Sequence, residues 1–360
     1  MSQQEQLRVG IIGCGAGLFH LEGYEEEPRA KVVALAGLDT DRCQSLAKRF
    51  DVPRVFRDYQ ELLAEDDIDA VSIAVPNSLH APVTIAALEA GKHVLIEKPL
   101  SRNAEEGERM VAAAEKAGKH LGIVFQRRAR HDIQILREEI AAGKLGNVYY
   151  AKAWWMRRQG IPGWGSWFTS KEAAGGGPLI DLGVHVIDMA LYAMGNPKVI
   201  AVSANTYAEI GTQGKGNWPI ADGRFRPAEN IGYEVEDLAT AFFRLENGAT
   251  LLLEASWASF TEMNDGFGVQ MYGSLGGARI HAENYAVEDT LTFFHEVGGT
   301  TSDSMPRLVP RKGHGPTIIG FVSAILDGTP LSPDGKEGLD RVRLIDAVYK
   351  SAELGKEITL

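Results

Sequence analysis

Hydrophobic and polar positions follow one pattern up to about residue 125 and a different pattern after it. In the first part, short β-branched apolar runs alternate with amphipathic stretches, which is typical of strand–helix–strand units in a doubly wound parallel sheet. The predicted strands cover residues 7–13, 31–38, 69–75, 93–96 and 120–125, and the clearest predicted helices cover 41–50, 82–90 and 104–117.

The second part of the chain combines helices with longer strand-like runs. Asn247-Gly248 separates two of these runs and is a strong hairpin signal. We therefore predict an α/β domain over residues 1–125 and an α+β domain with a mostly antiparallel sheet over 126–360. The Gly- and Pro-rich segment 209–233 gives no clear prediction. The predicted helices are 132–142, 178–194, 316–326 and 338–354, and the predicted strands are 148–155, 199–206, 237–245, 250–259 and 267–273.

Composition narrows the class of protein. The 360 residues carry 37 basic and 48 acidic side chains, a formal net charge of −11, and an acidic chain lacks the basic stripe that a nucleic-acid-binding protein needs. No apolar run approaches the ~20 residues of a membrane span, and the first residues lack a signal-peptide pattern. Two cysteines are too few for a disulfide scaffold or a thiolate metal site. We expect a cytoplasmic enzyme without a metal, in which Cys14 and Cys43 do no chemistry.

The glycine-rich turn after the first strand is the first candidate site. A Cβ in this turn would keep a pyrophosphate away from the helix N-terminus, where free N–H groups attract anions. The usual pattern G-x-G-x-x-G would place a third glycine at position 18, but this chain has Leu18 there. We expect Gly17 to act as the third glycine one residue early. The turn as a predicted dinucleotide site consists of Gly13, Gly15, Ala16, Gly17 and Leu18.

The end of the second predicted strand concerns the choice between NAD and NADP. An acid at this position would bind the ribose hydroxyls, and Asp39 lies near the expected separation. Asp-x-x-Arg before an apolar helix is also a helix-start signal, and we favour that reading for Asp39. If Gly37 occupies the ribose position, a 2′-phosphate has room there and Arg42 could bind it. The sequence therefore leaves the choice between NAD and NADP open.

Two motifs follow the ends of later strands, where open α/β sheets bind ligands. Pro76, Asn77 and His80 belong to the sequence PNSLH, and Glu97 and Lys98 begin the sequence EKP. A lysine here would point into the cofactor crevice, and Glu97 would keep its ammonium group charged, as an electrostatic clamp requires. The structural alternatives are turn chemistry, a helix start and a solvated ion pair.

A third motif lies on the helix predicted at 178–194. Asp181 and His185 are four residues apart and share one helix face. A carboxylate beside an imidazole can orient the ring and raise its basicity, as a general base requires. The alternatives are a core histidine and a metal site that adds Asp188, and the metal site is the weaker of the two because only one imidazole and no thiolate are present.

The aromatic-rich segment 155–167 is the predicted specificity segment. Sugar rings pack well on indoles, and arginines bind hydroxyls or carboxylates, which makes Arg157 and Trp164 candidate substrate residues. Trp154 and Trp155 point to opposite faces of a strand, so at least one of them should belong to the core.

Together these residues resemble the Gfo/Idh/MocA family, named after glucose-fructose oxidoreductase, inositol dehydrogenase and a rhizopine-catabolism protein. The resemblance covers almost the whole chain and rests on the glycine turn, PNSLH, EKP, the helix with DLGVH, and the run VEDLATAFFRLENGATLLLEASW. It implies a Rossmann domain followed by an α+β domain with a large open sheet, whose exposed face mediates dimers or tetramers. It also implies hydride transfer between NAD or NADP and a hydroxyl of a sugar, cyclitol or related polyol.

The resemblance also implies roles for individual residues. Lys98 would orient the reacting hydroxyl and help to bind the nicotinamide side, His185 would be the general acid/base, and Asp181 would be its partner and a substrate ligand. Two functions of other kinds stay open: a non-redox glycosidase or lyase that oxidises its substrate transiently with NAD, and a non-catalytic nucleotide-binding regulator. The residues that resemble cofactor-pocket residues of the family are Asn77, His80 and Glu97.

Overall fold

The computed structural model describes residues 6–218, 232–310 and 313–360. The chain divides into two compact units. The first unit comprises Met1–Gln126 and Gly313–Val342, and the second comprises Arg127–Lys312 and Arg343–Leu360. The first break lies beside the predicted domain boundary. Residues 313–342 also belong to the first unit, and the order of predicted strands and helices does not indicate this.

The first unit is built on a parallel sheet, which confirms the predicted fold class. Its strands in the described part of the chain are β1 (Leu7–Ile12), β2 (Ala30–Ala36), β3 (Arg54–Phe56), β4 (Ala70–Ile73), β5 (His93–Glu97) and β6 (Leu121–Val124). They lie in the order β3-β2-β1-β4-β5-β6, and each neighbouring pair is parallel. The strand order reverses between β1 and β4, and Rossmann folds bind dinucleotides at this switch point.

Helices occupy the positions that apolar periodicity predicted. Within the first unit, α9 packs against α1 and β5, so the returning segment completes that unit. None of the helices in the described ranges is long and apolar enough to cross a membrane. The α-helices of the described residues are α1 (Gly17–Tyr24), α2 (Thr40–Arg49), α3 (Tyr59–Leu63), α4 (His80–Glu89), α5 (Ala104–Ala117), α6 (His131–Ala141), α7 (Lys171–Ala174), α8 (Val184–Ala193), α9 (Gly315–Asp327) and α10 (Gly335–Leu354).

The second unit contains a large, mostly antiparallel sheet. Its strands in the described residues are β7 (Val148–Arg157), β8 (Val199–Tyr207), β9 (Leu238–Leu245), β10 (Thr250–Ser256), β11 (Asp265–Gly273), β12 (Gly277–Glu283), β13 (Leu291–Val297), β14 (Thr300–Ser304) and β15 (Ile358–Thr359). Their order is β14-β13-β12-β11-β7-β10-β9-β8-β15, with β7 and β10 parallel. The predicted hairpin at Asn247-Gly248 is confirmed: it joins β9 to β10, and Gly248 has a φ of +83°.

One face of this sheet packs against α8, which contacts β7 and β11. Trp155 points to this covered face and is 2% exposed, whereas Trp154 points to the other face and stacks on His281. The prediction that at least one of the two tryptophans belongs to the core is therefore confirmed. The helix predicted at 178–194 is a π-helical turn over Leu179–Gly183 followed by α8.

The prediction missed elements that are short or polar, and it also missed β12 and β13, seven-residue strands that carry apolar side chains. Strand β3 has three residues, and β14 has the sequence TTSDS, which carries no apolar alternation. Of the segment 209–233, for which no prediction was made, the structure describes 209–218 and 232–233, and the rest lies outside the described residues.

A buried ion pair joins α8 to the segment before α6. Both oxygens of Asp188 accept hydrogen bonds from Arg128, at 2.6 and 2.8 Å, and both side chains are at most 5% exposed. Because this pair engages the Asp188 carboxylate, the structure does not support the weaker alternative of a metal site at Asp181, His185 and Asp188.

Removing Asp188 should leave the Arg128 charge buried without its partner. We expect Asp188→Ala to lower the free energy of unfolding by about 3–5 kcal/mol, measured by urea unfolding. Glu357→Ala is the control, because it breaks a pair with Arg244 in which both side chains are roughly half exposed; it should cost less than about 1 kcal/mol. Equal losses in the two variants would contradict the prediction.

Candidate active site

The glycine turn fits a dinucleotide in three separate ways. Gly13 has a φ of +101°, and a Cβ there would lie 2.2 Å from the carbonyl oxygen of Ala74, beyond the end of β4. A Cβ on Gly17 would lie 3.0 Å from a β1 side chain, so this glycine lets α1 pack closely on the sheet. Gly15 is exposed, and nothing lies within 4 Å of its Cβ position. A tight turn, open space for a pyrophosphate and close helix packing are the three roles of glycines in such turns.

The altered spacing of the turn has a simple structural outcome. Gly17 takes the packing role of the third glycine, as the sequence predicted, and Ala16 is the N-cap residue of α1. The Leu18 side chain packs partly against the hydrophobic core beside β1. A leucine at position 18 therefore does not obstruct the space above Gly15.

Asp39 caps α2, which confirms the helix-start reading. Its Oδ1 accepts a hydrogen bond from the backbone N–H of Arg42 at 3.1 Å. The Arg42 side chain turns back to the glycine turn, where its Nε donates to the carbonyl oxygen of Cys14 at 2.7 Å. The residue directly after β2 is Gly37, which has no side chain. The end of β2 therefore offers no carboxylate for the ribose hydroxyls.

Cys14 of the glycine turn and Cys43 of α2 form a disulfide, with their Cα atoms 5.6 Å apart. The expectation that these cysteines do no chemistry is therefore wrong. They are 29 residues apart in the sequence, and only the fold of β1, β2 and α2 brings them together.

The motif PNSLH is tied to the motif EKP through His80. This ring is 1% exposed; its Nδ1 lies 2.7 Å from the carbonyl oxygen of Pro99 and its Nε2 lies 3.0 Å from that of Val75. Burial lowers the pKa of His80, and a neutral ring donates its single N–H to one of the two carbonyl oxygens. The structure therefore shows His80 holding two neighbouring turns together. Pro76 precedes the short turn Asn77–Leu79, in which Asn77 is buried.

The carboxylate of Glu97 is the centre of a buried triad. His20 and His314 both donate from Nε2 to its Oε1, at 3.1 and 2.7 Å. Burial opposes ionisation of Glu97, but the charge and hydrogen bonds of the two histidines outweigh it and hold its pKa well below the usual range. The expectation that Glu97 serves chiefly to keep Lys98 charged missed these partners, because neither histidine is near it in sequence.

The triad could also ligate a divalent cation, since its three ligand atoms lie within 4.8 Å of one another. The hydrogen bonds described above satisfy Oε1 of Glu97 without such an ion. Lys98 is the next residue after Glu97, the last residue of β5. The candidate cofactor residues of the first unit thus lie at or after the carboxyl ends of four neighbouring parallel strands: Gly13, Gly15, Ala16, Gly17, Leu18, Asp39, Arg42, Pro76, Asn77, His80, Glu97 and Lys98.

Asp181 and His185 belong to the second unit. Asp181 lies in the π-helical turn, and its Oδ2 accepts a hydrogen bond from Nε1 of Trp257 at 2.9 Å. His185 lies in the first turn of α8, is 4% exposed, and its ring centroid is 5.6 Å from that of Trp155. π-Helical turns inside helices occur frequently at functional sites.

Arg157 is a buried support for its neighbours. Its Nε donates to Asp265 at 3.0 Å, its Nη2 donates to the hydroxyl of Tyr285 at 2.7 Å, and the side chain is 5% exposed. Trp155 donates from Nε1 to the other oxygen of Asp265 at 2.7 Å. The guanidinium of Arg157 also lies 4.5 Å from the ring of Trp218. The guanidinium of Arg157, which the sequence suggested for substrate binding, thus makes these contacts with other residues of the second unit.

Two residues that the sequence did not nominate join this cluster. Arg127 places its guanidinium 5.1 Å from the Trp155 ring centroid and 5.2 Å from that of Tyr285, and burial lowers its pKa to about 10. Tyr285 has a φ of +63°, a left-handed conformation that bulky residues rarely adopt and that often marks a functional turn. In the sequence, Tyr285 is a single tyrosine after β12 and belongs to no motif that would have pointed to this cluster.

Trp164 connects two loops of the second unit. Its Nε1 donates to the carbonyl oxygen of Gly211 at 2.9 Å, and its backbone N–H donates to Oδ1 of Asn217 at 3.0 Å. The ring is half-buried. The indole N–H is therefore used to hold the loop, while part of the ring surface stays accessible.

Comparison with known proteins matches both units to one family. Residues 7–125 match the model of the oxidoreductase family with an NAD-binding Rossmann fold, and residues 133–279 match the GFO/IDH/MocA C-terminal domain. The D-glucoside 3-dehydrogenase of Escherichia coli (strain K12) is 33% identical over 357 residues, covering 98% of this chain and 97% of the relative. The myo-inositol 2-dehydrogenase of Thermotoga maritima is 26% identical, covering 98% of each chain.

Solved structures show the same architecture. Levoglucosan dehydrogenase in complex with NADH superposes with a TM-score of 0.85 at 27% identity, covering 98% of this chain and 99% of that one. The chain belongs to the GFO/IDH/MocA family of oxidoreductases, and its first unit is an NAD-binding Rossmann domain.

The open space above Gly15 gives a direct test of the cofactor site. Gly15→Ala should leave the melting temperature nearly unchanged, because its Cβ meets nothing within 4 Å. It should weaken NAD⁺ or NADP⁺ binding roughly tenfold, measured by calorimetry, because the methyl group blocks the approach of a pyrophosphate. Gly320→Ala on α9, also with open space at its Cβ position, is the control and should keep wild-type affinity. Unchanged affinity in Gly15→Ala would contradict the assignment.

The buried histidines of the first unit should make the protein sensitive to acid. Burial lowers the pKa of His20 and of His80 below the ordinary value of 6.5. Below pH 6.5 these histidines are protonated in the unfolded chain but not in the folded chain. Their contribution to the free energy of unfolding is therefore fully present above pH 6.5 and is lost as the pH falls. The slope is at most about 1.4 kcal/mol per pH unit for each histidine.

Urea unfolding between pH 8 and pH 5 measures this dependence. His80→Gln should give a shallower slope than the wild type. His295→Gln, on β13 of the second unit, is the control and should keep the wild-type slope. A slope in His80→Gln as steep as that of the wild type would argue against a role of His80 in acid sensitivity.

Proposed function

We propose that the protein is an NAD(P)-dependent dehydrogenase that transfers a hydride between the CH–OH group of a sugar, cyclitol or related polyol and nicotinamide. The observation that carries this proposal is the match to sugar and cyclitol dehydrogenases over nearly their whole length, so that both units are shared with them. The three glycine roles in the turn support a dinucleotide in the first unit. Asp181 and His185 supply proton-transfer chemistry in the second.

We propose that His185 acts as the general acid/base. It takes the proton of the reacting hydroxyl at a ring nitrogen during oxidation and returns it during reduction, a role that contributes about 10²–10⁴-fold to such reactions. Asp181 accepts a hydrogen bond from Nε1 of Trp257, which orients its carboxyl group as a ligand for substrate hydroxyls. The ring of Trp155 limits water around His185 and restricts its rotation.

Lys98 is proposed to donate a hydrogen bond to the oxygen that becomes alkoxide-like as its proton leaves, where electrostatic stabilisation is largest. Its two neighbours in the chain fix its position. Glu97 is hydrogen-bonded to His20 and His314, and the carbonyl group of Pro99 is hydrogen-bonded to His80. A bound nicotinamide supplies the hydride acceptor. Arg157 is proposed to position Tyr285 for the substrate, and the exposed part of the Trp164 ring is proposed to contact a sugar ring.

The choice of cofactor follows from the end of β2. Gly37 offers no carboxylate to bind ribose hydroxyls or to repel a 2′-phosphate, and Arg42 lies beside the glycine turn. We therefore include both NAD⁺ and NADP⁺ among the proposed cofactors. The assay mixes the protein with each cofactor and with panels of glucosides, anhydrosugars and inositols, and follows the absorbance of reduced nicotinamide.

We infer a cytoplasmic homodimer or homotetramer. The outward face of the second sheet carries apolar and aromatic side chains among polar ones such as Lys152 and Glu254, a mixture that is found where a sheet associates with another copy. Tyr150 and Tyr272 stack on this face with ring centroids 5.0 Å apart. Other outward-facing residues are Trp154, Phe242 and Leu252.

The catalytic assignment predicts that His185→Ala and Lys98→Ala lower kcat by about 10²- to 10⁴-fold. The Kd for the dinucleotide should change much less, since neither side chain belongs to the glycine turn. Steady-state rates and calorimetric titration on the same preparations measure the two effects. The controls are His295→Ala and Lys116→Ala, one exposed or partly exposed residue of the same type in each unit.

Three outcomes separate the readings. Wild-type turnover in His185→Ala would overturn its assignment. Cofactor that stays tightly bound without net reduction, while a glycosidic bond is cleaved, would favour the non-redox enzyme. Binding of dinucleotide with no turnover of any kind would favour the regulator.

A further inference from the structure

The disulfide sits at the centre of the dinucleotide site of the first unit. Cys14 lies between Gly13 and Gly15 of the glycine turn, and Cys43 lies in the first turn of α2. These are the two cysteines of the chain, and both take part in this bond. Cys14 is 7% exposed and Cys43 is 0% exposed.

One hydrogen bond beside the disulfide joins the same two elements, and a second one lies within the start of α2. Arg42 donates from Nε to the carbonyl oxygen of Cys14 at 2.7 Å, and the backbone N–H of Cys43 donates to the carbonyl oxygen of Asp39 at 3.0 Å. Asp39 in turn caps α2. The glycine turn and the start of α2 are therefore linked by one covalent bond and by the Arg42 side chain that lies next to it.

The sulfur atoms also define the ribose end of the site. A Cβ on Gly37 would lie 2.8 Å from Sγ of Cys43 and 3.4 Å from Sγ of Cys14. The sulfurs thus fill the space that a side chain at position 37 would need. Position 37 follows β2, where Rossmann domains meet the adenosine ribose. One disulfide therefore borders both the pyrophosphate turn and the ribose end.

We propose that the Cys14–Cys43 bond is a reversible redox modification that controls dinucleotide affinity, with the disulfide form binding more tightly than the dithiol form. This inference rests on the proposed function, because it assumes that the glycine turn holds NAD or NADP. A covalent link between the turn and α2 removes conformational freedom before the ligand arrives, so less freedom is lost on binding.

Reduction changes the geometry that the two elements share. It replaces a covalent bond with a van der Waals contact between two thiols, so the sulfur atoms must move apart. The sulfur atoms separate by rotation about their Cα–Cβ bonds or by a shift of the glycine turn away from α2, and we propose that the turn shifts and that this movement loosens the contact from Arg42 to the turn. The backbone N–H groups that face a pyrophosphate are then less well fixed.

The chemistry requires a dithiol reductant and a peroxide oxidant. A thiolate of the dithiol attacks the sulfur of Cys14, the more exposed of the two; the S–S bond breaks, and Cys43 leaves as a thiolate and takes up a proton. The second thiol of the reductant then displaces Cys14, so two electrons and two protons have passed to the protein. In the reverse direction hydrogen peroxide takes two electrons from the two thiols, the S–S bond forms and two waters are released.

A pair that cycles in this way suits the inferred compartment. Disulfides in reducing compartments are usually transient, catalytic or redox-sensing rather than structural. Thermodynamic linkage adds a second consequence: if the disulfide raises dinucleotide affinity by some factor, bound dinucleotide shifts the thiol–disulfide equilibrium toward the disulfide by the same factor.

The experiment compares one preparation in its two redox states. The full-length protein is treated with hydrogen peroxide or with dithiothreitol, desalted without air, and its free thiols are titrated: none are expected in the first state and two in the second. Calorimetry then gives the Kd for NAD⁺ and for NADP⁺. We expect the Kd to be roughly two- to tenfold higher in the dithiol form, and renewed peroxide treatment to restore the lower value.

Cys43→Ser is the matched variant, because it removes the bond and leaves the glycine turn unchanged in sequence. Its Kd should match that of the reduced wild type and should not respond to dithiothreitol. Cys43→Ala replaces it if the serine variant fails to show a cooperative melting transition. A response of either variant to dithiothreitol would show that the effect does not come from this bond, and would overturn the inference.

The remaining outcomes separate this inference from the proposed function. Equal affinity in the two states, tighter binding by the dithiol form, or a pair that does not open and close in the folded protein would overturn the inference alone. Failure of both states to bind either dinucleotide would overturn the proposed cofactor site and this inference with it.

Discussion

The buried carboxylate of Glu97 is the interaction on which the first unit depends. It joins three segments that are far apart in sequence: His20 on the helix after the glycine turn, the end of β5, and His314 just before α9. A buried carboxylate is stable only when its charge is compensated by donors, and here the two histidines provide them. The returning segment is thus attached beside Lys98, so the last part of the chain helps to fix the turn that carries the proposed electrophilic group.

Buried charge is compensated differently in the second unit. Arg157 and Trp155 divide the two oxygens of Asp265 between them, and Arg128 takes both oxygens of Asp188. The first set of contacts joins β7 to β11, and the second joins α8, which carries His185, to the segment before α6. A polar substrate would therefore find side chains whose orientations are already set, which reduces the entropy that is lost on binding.

The sequence predicted features that depend on local chemistry and missed those that depend on distant segments. The core strands, the cap at Asp39 and the early third glycine follow from short patterns of residue types. Strand β14 is polar throughout, so only pairing with β13 makes it a strand. The disulfide, the contact of His314 with Glu97 and the cluster around Arg127 join residues that no local pattern connects, and for that reason the structure was needed to find them.

The contact between Gly37 and the two sulfur atoms has a consequence for protein engineering. Changing cofactor preference in a Rossmann enzyme usually begins with an acidic substitution at the end of the second strand. In this protein that position is sterically closed by Cys14 and Cys43, so a carboxylate placed at Gly37 would first have to displace sulfur. A library that varies position 37 should therefore vary position 43 with it, because the residue at 43 decides how much room a side chain at 37 has.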